Sequence, residues 1–161
     1  MDNSHEFYTT RGYEIINQHK GKLTSSMEDY LEMLYRIHLA EGYARIGQLA
    51  ESLNVKASSA SKTVQKLAQL GYLDYEKYQI IHLTEEGIEA GAFLLNRHIT
   101  IALFLQNLGG KEEIHPETEL IEHYVSNKTL EKFHLFNQFF QLNPCIKESF
   151  ENFIHEKGHD K

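Results

Sequence analysis

Apolar residues recur every three or four positions along most of this chain, and the pattern changes only in one short stretch after residue 70. Tyr30, Leu31, Leu34, Tyr35 and Ile37 predict a helix opened by Thr24-Ser25-Ser26, with Ser25 and Glu28 as a capping box and Glu41-Gly42 as its end. Two shorter helical patterns follow. Ile46, Leu49, Ala50 and Leu53 form the first, and a break comes at Asn54-Val55. The second runs from Ala57 to Leu70 with Ala60, Val64, Leu67 and Leu70 on one face, and Gly71 is its natural stop. Tyr72–Tyr75 and Ile80–Leu83 are β-prone runs joined by four residues, which predicts a small hairpin. Thr84 then caps a long helix reaching about Leu108, before Gly109-Gly110. Pro116 suits the first position of a further helix to about Val125. A phenylalanine-rich helix spans Leu130 to Gln141, and a last one covers Ile146 to Glu156 after the Asn143-Pro144 break. Residues 1–22 are polar and weakly patterned, and read as a flexible or loosely docked extension with room for a short helix around Tyr8–Gln18.

The chain has 161 residues, 41% of them hydrophobic and 24% charged, which excludes wholesale disorder and leaves enough chain for a sizeable core. The longest unbroken apolar run, Ile101 to Leu105, has five residues, so no membrane span is expected. No signal peptide is legible at the start. The single cysteine, Cys145, cannot form an internal disulfide, and a reducing cytoplasmic location is the expectation. The net charge of -7 argues against a generic nucleic-acid binder. It is unevenly spread, however: residues 44–82 carry five basic and three acidic groups, and residues 111–161 carry six basic and ten acidic ones. An anion-binding module beside a carboxylate-rich region fits that distribution.

Helix, helix, turn, helix and hairpin in that order is the layout of a winged helix-turn-helix. Its second helix enters the major groove by its N-terminal residues. Those residues are Ser58, Ser59, Ser61, Lys62, Gln65 and Lys66: hydroxyls and an amide for base edges, lysines for phosphates. Lys77, with Tyr78 and Gln79 at the hairpin tip, would touch the backbone as the wing. The plainer alternative is a helical hairpin with a solvated polar face.

Three places offer metal ligands. Asp29 and Glu32 lie three apart on one helix face, His98 lies on the long helix, and Glu119, Glu122 and His123 form E-x-x-E-H, placed on one face of the next helix. Four carboxylates and two imidazoles suit Mn(II) or Fe(II), whereas a thiol-rich set would point to zinc. They also exceed one cation's needs, so two bridged ions are open. Taken singly, each residue has a bland reading: a helix-dipole carboxylate, a surface glutamate, a buried histidine. Spacing does not show that they converge.

Taken together, SSMEDYLEMLY (25–35), GYARIGQLAESLNV (42–55), SSASKTVQKL (58–67), YLDYEKY (72–78), LTEEG (83–87), RH (97–98) and ELIEHYVS (119–126) resemble the DtxR/MntR family of metalloregulators, and its manganese branch most closely. The match runs in order from residue 24 to about 142. The resemblance implies a mainly α fold: a winged helix-turn-helix DNA-binding domain at 23–93, after the extension 1–22, then an all-helical metal-binding and dimerisation domain at 94–161. It implies that Asp29, Glu32, His98, Glu119, Glu122 and His123 form one metal site. Iron-responsive relatives carry a methionine in place of Asp29 and a cysteine in place of Glu119, so carboxylates here imply Mn(II). One or two ions per chain are expected, and Fe(II), Co(II) or Zn(II) can occupy such ligands in vitro.

The expected function is a metal-dependent repressor that binds a palindromic double-stranded operator as a homodimer when metal is bound, controlling metal homeostasis. The phenylalanine cluster, Phe133, Phe136, Phe139 and Phe140, is the expected dimer contact, with plain core as its alternative. No enzyme activity, small organic substrate or membrane partner is expected. Four other readings stay open: a regulator answering to iron or another divalent metal, a regulator answering to an organic ligand, a dinuclear metal enzyme, which the winged helix does not fit, and a pure dimerisation or adaptor protein. Residues 1–22 have no placed counterpart in the family, the segment 143–161 matches it poorly, and the operator sequence does not transfer.

Overall fold

A computed structural model describes residues 4–18, 23–75, 80–109 and 114–158, with side chains from residue 11 onward. Among these residues are eight helices and one two-stranded sheet. They divide into two compact units, Met1–Asn96 and Arg97–Lys161.

In the first unit α2 spans Ser25–Glu41. Its cap is Thr24, whose hydroxyl accepts from the Met27 N–H, so the expected Ser25–Glu28 capping box shifts by one residue and Met27 takes the place of the reciprocal acid. Gly42, at φ 79°, ends the helix in the left-handed conformation that favours glycine. Short α3, Ile46–Ser52, leads through left-handed Asn54 (φ 51°) into α4, Ala57–Gln69. The strands are shorter than the sequence suggests. β1 (Leu73–Asp74) pairs antiparallel with β2 (His82–Leu83), Leu73 opposite Leu83. Ala44 adds an isolated bridge to Ile81, which the sequence did not reveal. The core beneath is apolar: Leu31, Leu49, Ala60, Val64, Leu67 and Tyr72 are fully buried.

Thr84 caps α5, Glu85–Asn107, as its hydroxyl accepts from the Gly87 N–H and donates to the Gly71 carbonyl. Gly87 packs so tightly against the Tyr72 carbonyl that any Cβ would collide with it. By length and apolar composition α5 could cross a membrane, but half of its most apolar window is buried inside the fold, as in a core helix.

The N-terminal extension is docked. α1, Ser4–Gln18, packs on α5: Arg11 Nε lies 2.9 Å from Glu89 Oε2, and the Tyr13 and Phe93 rings lie 5.7 Å apart. Ile15 is buried, and its carbonyl accepts from the Tyr72 hydroxyl. Burial first, then the Glu86 and Glu28 carboxylates, pushes that hydroxyl up to about 12. Gly12 permits this approach, since a side chain there would run into the Glu89 carbonyl and Phe93. Gly12→Leu is therefore expected to lower stability by ~1–3 kcal/mol through overpacking. A thermal midpoint unchanged from the parent would mean that α1 contributes nothing to the fold.

The second unit begins inside α5 and continues through α6 (Ile114–Ile121), α7 (Asn127–Leu142) and α8 (Pro144–Gly158). α6 starts two residues before Pro116 and stops at Ile121, shorter than expected. Ser126 caps α7. Two buried amides join α5 to α7: Asn107 Nδ2 donates to Asn137 Oδ1 at 3.0 Å, and Asn137 Nδ2 donates to the Thr100 carbonyl at 3.0 Å.

Candidate metal centre and nucleic-acid interface

α4 is strongly two-faced. Ala60, Val64 and Leu67 are buried, while Ser58, Ser59, Lys62 and Lys66 are exposed, with Ser61 and Gln65 between. It carries no acidic residue, and Lys56 at its N-cap makes no side-chain hydrogen bond to the helix. Positive side chains one turn apart and the hydroxyls of the first turn form a surface complementary to phosphate and base edges. Lys77, Tyr78 and Gln79 lie outside the described residues. Sequence reasoning passed over Arg45, whose exposed guanidinium stacks over the Tyr43 ring at 4.9 Å; its only signal was the local basic excess.

Each unit presents its own ligand candidates. On α2, Asp29 and Glu32 are three residues apart. Glu32 is buried and its Oε1 accepts from Arg36 Nη2 at 2.7 Å and Nε at 3.0 Å, an i,i+4 pair that its spacing could have revealed.

In the second unit Glu122 is the centre. It is 1% exposed, and its Oε2 lies 2.8 Å from His98 Nδ1. Its Oε1 lies 3.8 Å from His123 Nε2. Glu119, by contrast, is exposed, with Oε1 3.9 Å from the same His98 nitrogen. The structure thus brings His98, Glu119, Glu122 and His123 together. It does so from α5, α6 and the turn after α6, because Glu122 and His123 follow the last helical residue. The expected single helix face is corrected accordingly: the Tyr124 N–H bonds to the Ile121 carbonyl, closing a turn, although the Glu122 N–H still reaches Thr118. The His115 ring stacks on His98 at 6.0 Å. Arg97 entered the sequence reading only within the RH (97–98) motif, with no role; it is buried beside His123, and residues 26 apart give no spacing signal.

Most of the phenylalanine cluster is engaged within the chain. Phe104 stacks on Phe133 at 3.9 Å and meets Phe136 edge-on at 5.2 Å. Phe140 contacts Phe136 and Phe150. Phe139 is 48% exposed and shares the outer side of α7 with Leu135 and Leu142.

Two family descriptions match the sequence, "Iron dependent repressor, N-terminal DNA binding domain" over residues 22–81 and "Iron dependent repressor, metal binding and dimerisation domain" over residues 84–151. The HTH-type transcriptional regulator MntR of Lysinibacillus sphaericus is 40% identical over 129 residues, 80% of this chain and 93% of that one. Its namesake in Bacillus subtilis is 37% identical over 137 residues, 84% of this chain and 96% of that one. Among solved structures, the manganese regulator SloR matches with a TM-score of 0.62 at 30% identity, over 70% of this chain and 54% of that one. IdeR of T. acidophilum matches at 0.59 and 26% identity, over 66% of this chain. The chain spans about half the length of these solved chains. The protein therefore belongs to the iron dependent repressor family and is a metal-dependent transcriptional repressor, with a winged helix DNA-binding domain followed by a helical metal-binding and dimerisation domain.

Proposed function

We propose that the protein is a manganese-responsive repressor that binds a palindromic operator as a homodimer in the cytoplasm. Its metal ligands would be Asp29, Glu32, His98, Glu119, Glu122 and His123, and its DNA contacts Ser58, Ser59, Ser61, Lys62, Gln65, Lys66 and Lys77. The observation that carries this reading is the buried Glu122 carboxylate set between two imidazoles, with a further carboxylate beside one of them. A buried carboxylate among oxygen and nitrogen donors, with no thiol, fits a hard to borderline divalent cation. Asp29 and Glu119, where iron-responsive relatives hold sulfur, favour Mn(II) further. The relatives named as manganese regulators support the same choice.

A bound divalent cation would supply the positive charge that lets these carboxylates share one place. Asp29 and Glu32 would tie α2, the scaffold of the DNA-binding unit, to that charge; His98, Glu122 and His123 would supply the remaining donors. Lys62 and Lys66 would hold phosphates, and Ser58, Ser59 and Gln65 would meet base edges. In a dimer the two copies of α4 would fit successive major grooves, about 34–36 Å apart. The outward apolar side chains of α7, with Phe139 among them, are the chain's own material for the dimer contact.

Mn(II) titration of the metal-free protein, followed by electron paramagnetic resonance beside His98→Ala, tests the metal assignment. Saturable binding of one or two ions per chain, lost or halved in the variant, is expected; absence of specific binding overturns it. A separate pair of variants tests the interface. Lys62→Ala should weaken operator binding and reduce its salt dependence by about one counterion. Gln65→Ala should weaken it without that change in slope. Both should bind Mn(II) like the parent in the absence of DNA, and an unaltered operator affinity would mean that α4 is not the reading helix.

A further inference from the structure

Beside the ligand candidates sits a charge that neither the metal nor the DNA assignment uses. Arg97 precedes His98 on α5 and is 6% exposed. Its Nη2 lies 3.3 Å from His123 Nδ1. A guanidinium only donates, so Nδ1 accepts, and the neutral ring carries its proton on Nε2, the nitrogen 3.8 Å from Glu122 Oε1. The other Glu122 oxygen faces His98 Nδ1 at 2.8 Å; a carboxylate only accepts, so that nitrogen donates. Within residues 97–161 the groups therefore form a row: guanidinium, imidazole, carboxylate, imidazole, with Glu119 at the far end. At one end stands a positive charge that no ordinary pH removes. It holds His123 by Nδ1, one of the two ring atoms on which a metal can sit.

We infer that Arg97 is a resident counter-cation of the metal site. Its guanidinium holds the carboxylate–imidazole cluster together when no metal is present, and it lowers the affinity of the cluster for an arriving cation. The inference rests on reading Glu122 and His123 as ligands. Two consequences have opposite signs. Removing the charge leaves the carboxylates less balanced, so the metal-free fold weakens. The same removal takes away a repulsion between like charges, so a divalent cation binds more tightly. A guanidinium that merely packed, or merely oriented His123, would on removal weaken both.

Arg97→Gln retains an amide donor and loses the charge, whereas Arg97→Lys retains the charge and loses the planar fork. Free Mn(II), read by electron paramagnetic resonance, gives the affinity, and the thermal midpoint of the metal-free protein gives the second readout. The glutamine variant should bind Mn(II) on the order of tenfold more tightly, as loss of a nearby like charge in a partly dehydrated site allows, with a lowered metal-free midpoint. The lysine variant should stay close to the parent in both. Weaker Mn(II) binding by the glutamine variant, or no change in either quantity, overturns the inference. Should that variant fail to fold, a loss of Mn(II) affinity in the lysine variant overturns it, and parental affinity supports it. A parent chain without specific Mn(II) binding is a different result: it removes the ligand reading itself, before any variant is compared.

Discussion

Glu122→Gln is expected to abolish the metal dependence of operator binding while leaving the fold in place. Glutamine matches glutamate in size, so the 1% exposed pocket stays filled, and its carbonyl oxygen still accepts from His98. The negative charge is gone, however, and an amide is a poor ligand for a divalent cation. Loss of an outer-shell partner costs about 10–100-fold in metal affinity; loss of a central ligand should exceed that. Metal and DNA affinities are reciprocally coupled, so the factor by which metal tightens operator binding must vanish along with the site. Gel-shift titrations with and without Mn(II), beside a thermal melt of the metal-free variant, read both quantities. A variant that still tightens on the operator when Mn(II) is added would sink the assignment of Glu122.

Leu67→Ala acts by another route. Leu67 is fully buried under α4, so truncation leaves a cavity and should cost ~2–5 kcal/mol. For a chain of this size each kcal/mol lowers the thermal midpoint by about 2–4 °C. Because α4 rests on this side chain, operator binding should fall with and without metal, in contrast to Lys62→Ala, which leaves stability alone. Parental stability in the alanine variant would mean that α4 is not seated as described.

The positions of α2, α3, α4 and α5 were legible because each has an apolar stripe and three of their neighbours are glycines in the left-handed region, Gly42, Gly71 and Gly109. The end of α6 was not. Neither glycine nor proline follows Ile121, and a turn closed by backbone hydrogen bonds alone leaves no mark in residue type. The isolated bridge from Ala44 to Ile81 joins residues too far apart for any periodicity to show. The docking of α1 had one clue, Gly12 in a helical stretch, whose meaning depends on Glu89 and Phe93 lying opposite. At the candidate site, residue types and local spacing pointed to all six ligand candidates. Which of them lie deep was hidden: Glu122 is buried against His98 of α5 while Glu119 is exposed, and depth depends on what another helix sets opposite. The outward residue of the phenylalanine cluster was hidden for the same reason, since Phe133, Phe136 and Phe140 find Phe104 and Phe150 within their own chain.

The amide pair between α5 and α7 bears on alignment as well as adhesion. Greasy faces can slide past one another by one turn, about 5.4 Å, with modest loss, since one leucine replaces another. Asn107 and Asn137 cannot slide so: a slip by one turn strands two buried amides. The pair works as a detent, a notch that admits one longitudinal setting. In that setting Phe104 meets Phe133 face to face. Any longitudinal load on α7 therefore meets two hydrogen bonds that must break before the helix can move along its neighbour.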